Sequence, residues 1–257
     1  MVHRLRDNLD AGRASIGAQI RFDSPGIAEL FGLAGFDYVV IDHEHAPQTP
    51  VGIQHQIQAM ASSSATAVLR VPKVDPDLIR LYLDMGAGGV MVPLVSTPQE
   101  AELGAKACRY PPRGTRGYGP ARASRYGFDP DYFAKANDQV VYIVIIETAE
   151  AVAQIDRILA VDGIDAYLVG PFDLSISLGI PQQFDHPRFT EAVETVFAAA
   201  SSAGVHAGID VNAFQCTPEV FKTPIAQGYK MLLVDGDEWM IKAACEKVMS
   251  CFRQAGG

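Results

Sequence analysis

Eight short apolar runs recur along the chain at 16–22, 38–42, 66–71, 89–95, 140–146, 166–170, 206–210 and 230–234, separated by amphipathic stretches. Each run is nearly continuous in hydrophobic, often β-branched residues, which is how a strand reads when both faces of a parallel sheet are covered. Several of the stretches between them open with Ser, Thr or Asp directly before a proline, at Pro25, Pro76, Pro98 and Pro218. Those pairs mark first helical turns, because proline's missing N–H costs nothing there. Gly35, Gly86, Gly163, Gly204 and Gly228 supply stops ahead of following runs. Eight strands alternating with helices in 257 residues predict an α/β fold, the TIM (β/α)8 barrel. A doubly wound sheet usually has fewer strands, and the GxGxxG turn of its nucleotide-binding forms is absent after the first run. With no linker or repeat to divide it, residues 1–257 read as one domain.

Composition narrows the class. The chain is 48% hydrophobic and 20% charged, which excludes a disordered or collagen-like protein. A formal charge of −9 argues against a general nucleic-acid or membrane-surface binder, since phosphate contacts need a basic face. Cys108, Cys216, Cys245 and Cys251 form no CxxC pair and read as buried thiols of a reducing compartment. The longest apolar runs have seven residues, far short of a bilayer span, and no apolar segment follows the basic N-terminal residues, so a cytoplasmic location is expected.

In a TIM barrel the active site forms at the C-terminal ends of the strands. The polar residues at the ends of the runs are therefore the candidates. The second run ends in Asp42-His43-Glu44-His45, the third in Arg70, the fifth in Glu147-Thr148, and the sixth in Gly170-Pro171-Phe172-Asp173. Glu147 and Asp173 close consecutive strands and should be neighbours. Either one alone is accounted for as an acidic residue in a helix's first turn. The pair suits a hard divalent cation such as Mg²⁺ or Mn²⁺, with water and substrate oxygens completing the shell. His45, three residues after Asp42, is either a general base oriented by a carboxylate or a loop histidine bonded to backbone. His43-x-His45 also admits zinc, although nearby carboxylates outnumber any third soft ligand. Arg70 ends a buried strand and needs an anionic partner, either a structural one such as Asp84 or a substrate carboxylate or enolate.

One stretch breaks the alternation. Residues 96–139 hold a helix, a long irregular loop and a short helix, and within the loop Arg109, Arg113, Arg116, Arg122 and Arg125 occur with no acidic residue. A solvated or subunit-contact loop accounts for some of the five. A basic lid over an acidic barrel, drawing in small anions, is the functional expectation.

The chain resembles the HpcH/HpaI aldolase family of metal-dependent pyruvate aldolases. The resemblance rests on GFDYVVIDHEHAP (35–47), VLRVPKVDP (68–76), residues 83–101, RYPPRGTRGYG (109–119), ARASRYG (121–127), IETAEAV (146–152) and GPFDLSISLG (170–179), with GYKMLLVDGD (228–237) still fitting. It implies a TIM barrel of the phosphoenolpyruvate/pyruvate-domain type, assembled as a hexamer (a trimer of dimers). The last helix, about 237–253, would be exchanged between subunits, and Met240, Ala244, Val248 and Cys251 form an apolar stripe there. The alternative is a helix packed on its own barrel. By resemblance Glu147 and Asp173 are the metal ligands, for Mg²⁺, Mn²⁺ or Co²⁺. His45 is the acid/base, oriented by Asp42 or Asp84, and Arg70 holds the 2-oxo acid beside Gly170, Pro171 and Phe172. Three positions depart from the family pattern: His43 replaces a Gly, Ile145 a Gln, and Phe172 a small residue, so that Phe172 should narrow the pocket beside Asp173.

The reaction implied is reversible cleavage of a 4-hydroxy-2-oxo acid to pyruvate, or a close 2-oxo acid, and an aldehyde. His45 would take the C4 hydroxyl proton while the metal and Arg70 stabilise the enolate. No lysine lies among the strand ends, which weighs against a Schiff base. Competing readings are an acyl-CoA C–C lyase, for which the arginine loop is the only candidate groove, a non-catalytic barrel binding a metal or 2-oxo acid, and a zinc hydrolase using His43 and His45.

Overall fold

The computed structural model describes residues 3–211 and 217–256, the side chain of Asp235 excepted. Strands β1 (Ser15–Ile20), β2 (Tyr38–Asp42), β3 (Thr66–Arg70), β4 (Gly89–Val92), β5 (Val141–Ile146), β6 (Ala166–Val169), β7 (His206–Val211) and β8 (Met231–Gly236) pair in parallel, each with its sequence neighbours, and β8 returns to β1 to close the barrel. Helix α1 (Arg4–Asp10) precedes the first strand. Helices α2 (Pro25–Ala34), α3 (Pro50–Ala59), α4 (Pro76–Asp84), α5 (Pro98–Cys108) and α6 (Tyr132–Gln139) follow in the first half. The second half carries α7 (Ala149–Ala153), α8 (Ile155–Leu159), α9 (Pro171–Ser177), α10 (Pro187–Ala203), α11 (Pro218–Gln227) and α12 (Asp237–Gln254). The helix starts expected at Pro25, Pro76, Pro98 and Pro218 are all N-terminal residues of helices, and Thr97 with Glu100 forms a full capping box.

Two nested cores follow from the period-two alternation of the strands. Tyr38, Val40, Val68, Met91, Ile143, Leu168 and Leu233 fill the barrel interior, where Leu5 and Leu9 of α1 pack with them. The alternate residues Val39, Ile41, Leu69, Val90, Val144 and Ile146 face the helices. Gly17 is required by this interior: a Cβ there would lie 2.2 Å from the Tyr38 ring.

Several expectations need correction. The run at 89–95 stops pairing at Val92, because Pro93 lacks an N–H and Leu94 takes a positive φ of 56°. The arginine loop is no lid. It leaves the C-terminus of α5 and leads through α6 to the start of β5, so it belongs to an αβ connection at the N-terminal end of the barrel, opposite the strand C-termini. There Arg109 pairs with Asp165 (3.1 Å), Arg116 with Asp84 (2.6 Å) and Arg113 with Asp138 (2.5 Å), while Arg122 bonds the Met85 carbonyl. Three of the five arginines that read as unpaired take their carboxylates from other segments of the chain. Cys108 is buried as expected, but Cys245 and Cys251 are exposed, and Cys216 lies outside the described residues. In α12, Met240 packs against the barrel, whereas Val248 and Cys251 of the same stripe are exposed.

Candidate active site

The alternation that fills the barrel also arms its mouth. Residues 38 and 40 point inward, so Asp42 does too. The same parity carries Arg70, Glu147 and Gly170 to the inner rim, and Gln19 and Arg21 at the end of β1. Arg70, Glu147, Gly170, Gln19 and Arg21, together with His45, Phe172, Asp173, Asp210 and Trp239, line a cavity of about 510 Å³, with Asp42 buried behind Arg70.

Asp42 is its anchor, with no exposed side-chain surface. Arg70 donates from Nε to Oδ1 (2.8 Å) and from Nη2 to Oδ2 (2.5 Å), a bidentate fork. Gln19 Nε2 donates to Oδ2 (3.1 Å), and the backbone N–H groups of Glu44 (3.0 Å) and His45 (3.3 Å) donate to Oδ1. Burial alone would push this carboxyl up, but the Arg70 bonds and charge, with the two backbone donors, hold it below its ordinary value. Asp42 is therefore the structural partner of Arg70, a place earlier open to Asp84.

Glu147 is buried, and its Oε1 accepts the Leu94 N–H at 2.6 Å. Burial pushes its carboxyl up to about 7, against the Leu94 bond, with the charges of Glu44 and Asp173 adding to the rise. A Cβ at Gly170 would stand 2.4 Å from Glu147 Oε2, so only glycine leaves that carboxylate its place. Asp173, in the first turn of α9, is exposed at the same rim. No three His, Cys, Asp or Glu side chains among the described residues are grouped closely enough to hold an ion unaided. Two oxygen donors from adjacent strand ends, one of them buried beside like charges, nevertheless fit a hard divalent ion that keeps water or substrate ligands.

His45 stands at the rim with its side chain 54% exposed, its Nε2 3.6 Å from Glu44. Its backbone, not its ring, bonds Asp42. Asp84 closes α4 at the far end of the barrel and pairs with Arg116, so an Asp84–His45 dyad within one chain is excluded. His43 turns from the cavity to bond Tyr82 Oη through Nδ1 (2.6 Å), which removes the two-histidine zinc arrangement. Phe172 lines the cavity beside Asp173 as expected, 58% exposed and edge-on to Phe184. Ile145 presents an apolar floor. Arg21, Gln19, Asp210 and Trp239 were missed. Arg21 lies inside the first apolar run, which Phe22 extends, and Asp210 closes the seventh run as Asp42 closes the second.

A closed parallel barrel with acids, an arginine fork and a rim histidine at its C-terminal mouth is the frame of a lyase acting on small oxo acids. Comparison with known proteins agrees. A family model described as HpcH/HpaI aldolase/citrate lyase matches residues 19–231. The chain is 33% identical over 255 residues to a 2-keto-3-deoxy-L-rhamnonate aldolase of Shigella sonnei, covering 98% of this chain and 94% of that one. It is 40% identical over 209 residues to a 4-hydroxy-2-oxovalerate aldolase of Rhodococcus jostii, covering 81% of each. A crystal structure of an HpcH/HpaI aldolase/citrate lyase family protein from Burkholderia cenocepacia superposes with a TM-score of 0.88 at 32% identity, covering 97% of this chain and 99% of that one. The chain belongs to the HpcH/HpaI aldolase/citrate lyase family and is a carbon–carbon lyase.

Proposed function

We propose that the protein is a divalent-metal-dependent aldolase that reversibly cleaves a 4-hydroxy-2-oxo acid to pyruvate, or a close 2-oxo acid, and an aldehyde. The observation that carries this reading is the shared cavity, with Glu147 and Asp173 on one side and the Asp42-anchored Arg70 beside them. The aldolase names of the relatives support it.

Arg70 is held rigidly by its fork, and its remaining N–H groups serve a substrate carboxylate or the charge that grows on the 2-oxo oxygen. His45, solvent-accessible at the rim, takes the proton of the C4 hydroxyl. The C3–C4 bond then breaks, its electrons pass into the 2-oxo acid fragment as an enolate, and the aldehyde leaves. Glu147 and Asp173 would hold a divalent ion, which when bound would supply Lewis-acid stabilisation of that charge. Mg²⁺, Mn²⁺ and Co²⁺ all suit two carboxylates. No lysine lines the cavity, and Lys73 is exposed near Asp75, in keeping with a reaction that needs no Schiff base.

The protein would work in the cytoplasm as a hexamer. Val248, Met249 and Phe252 on α12 are exposed, which suits a helix that packs on a neighbouring copy. No helix among the described residues is long and apolar enough to cross a membrane. The acyl-CoA reading loses its candidate groove, since the arginine loop lies at the opposite end of the barrel.

The test couples pyruvate release from 4-hydroxy-2-oxo acids to lactate dehydrogenase. Release that EDTA abolishes and a divalent ion restores is expected. No release with any metal would overturn the reading in favour of a non-catalytic barrel.

A further inference from the structure

Arg122 and Arg125 are the two arginines of the loop that take no carboxylate among the described residues. Arg122 Nη1 donates to the Met85 carbonyl (3.0 Å), and the Arg125 side chain makes no hydrogen bond or ion pair there. Both line a cavity of about 460 Å³. Ile57, Met60, Ala65 and Ala67 give it an apolar lining, and no acidic side chain among the described residues joins them. The Ser63 hydroxyl at its edge is taken up by the Met60 carbonyl (2.9 Å). These segments are the end of α3, its connection into β3 and the arginine loop, so the cavity lies at the N-terminal end of the barrel, opposite Arg70, Glu147 and Asp173. Arg125 and Tyr126, which also lines the cavity, take left-handed backbone angles (φ 50° and 57°), an unfavourable state for residues with a Cβ. The buried Ser124 holds that turn. Its hydroxyl donates to the Ala121 carbonyl (3.0 Å) and accepts the Gly127 N–H (3.2 Å), while the Tyr126 N–H donates to the same carbonyl (2.9 Å). Backbone strain that its surroundings over-determine in this way clusters at ligand clamps. Burial pulls the Arg122 guanidinium below its ordinary value, since it loses water and gains no anion, and an anionic ligand would offset that loss.

We propose that this cavity binds a small phosphate monoester with an apolar substituent. The phosphate sits between Arg122 and Arg125, and the apolar part lies against Ile57, Met60 and Ala65. A monoester dianion matches two guanidiniums, whose planar N–H pairs fit phosphate oxygens, whereas a carboxylate would balance only one of them. The volume is that of a small-ligand cavity and exceeds what inorganic phosphate fills, and the apolar lining favours a substituent that leaves water. No residue of the catalytic mouth enters this site, so it does not rest on the aldolase reading.

Calorimetry with phenyl phosphate tests this. Wild type should bind one molecule per chain, about tenfold or more tightly than it binds inorganic phosphate or benzoate. Arg122→Gln and Arg125→Gln should each weaken phenyl phosphate about tenfold or more, and Arg125→Lys should keep part of the affinity. Ala61→Trp, which fills the cavity and leaves both arginines in place, should weaken it to a similar degree. The Arg125 side chain makes no bond that a substitution could break, so its variants should melt with wild type, and a lost affinity then reports the ligand rather than the fold. Saturating pyruvate with Mg²⁺ should leave the binding unchanged. No saturable binding to wild type, equal binding by wild type and the two glutamine variants, or displacement by pyruvate overturns the proposal. So does a smaller assembly of the glutamine variants in light scattering when wild type binds no phenyl phosphate, because the arginines then serve a contact with a second copy.

Discussion

Replacing Asp42 by Asn removes the buried carboxylate that both arms of the Arg70 fork bond, leaving Glu44, 3.4 Å from Arg70 Nε, as the remaining paired anion among the described residues. The carboxylate accepts both arms of the Arg70 fork, the Gln19 amide and two backbone N–H groups, and none of its side chain is exposed. Asparagine keeps the volume but offers one acceptor oxygen where two carboxylate oxygens stood, and its NH2 turns toward a donor. Breaking a buried, hydrogen-bonded ion pair on one side costs about 3–5 kcal/mol, because the other charge is left uncompensated. At about 2–4 °C per kcal/mol for a domain of this size, the Asp42→Asn variant should melt roughly 10 °C below wild type by calorimetry. The cause is checked by a double mutant. If the cost is the stranded guanidinium, Arg70→Met combined with Asp42→Asn should be more stable than Asp42→Asn alone, with a coupling of about 2 kcal/mol. The pH dependence has a fixed sign. Asp42 has its folded-state pKa depressed, so its contribution is present above the unfolded carboxylate pKa and is lost as pH falls through the folded value. The gap between wild type and Asp42→Asn should therefore narrow on acidification. A variant within 1 kcal/mol of wild type near pH 7, or additive single and double mutants, would refute the anchoring argument.

Three further outcomes follow from the same geometry. Glu147 has a folded-state pKa raised to about 7, so the folded state holds its proton where the unfolded state has lost it. Stability of the EDTA-treated protein should fall by up to about 3 kcal/mol as pH rises from about 4.5 through 7, and Glu147→Gln should flatten that slope in thermal melts. Gly170→Ala would set a methyl group 2.4 Å from Glu147 Oε2, and should weaken divalent-ion binding by calorimetry at least tenfold, with intact β-sheet circular dichroism. Val248→Glu with Phe252→Glu, both on the exposed face of α12, should reduce the proposed hexamer to a smaller assembly by light scattering. An unchanged mass would place that helix outside the subunit contact.

How much of this was legible in the sequence depends on parity. Once a run is known to be a strand of a barrel, the inward residues are every second one, and the residue that continues the inward set past the strand's end must face the mouth. Asp42, Arg70 and Glu147 were readable on that basis, because each directly ends or follows an apolar run. Arg21 obeys the same rule. It is hidden in the sequence because Phe22 beyond it extends the apolar run, although β1 ends at Ile20.

Long-range pairing was not legible, and the arginine loop and Asp84 show why. A run of five arginines reads as uncompensated charge only while its partners are unknown. Asp84, Asp138 and Asp165 reach Arg116, Arg113 and Arg109 from 25 to 56 residues away. One local fact was nevertheless sufficient to place the loop. It follows α5 and, with the short α6, leads into β5, and in a right-handed βα barrel such a helix-to-strand connection lies at the N-terminal face, away from the chemistry. The same reasoning removes Asp84 from the chain's own active site, since it closes α4 rather than a strand. The order of elements around a segment, more than the charges within it, decides which end of the barrel that segment serves.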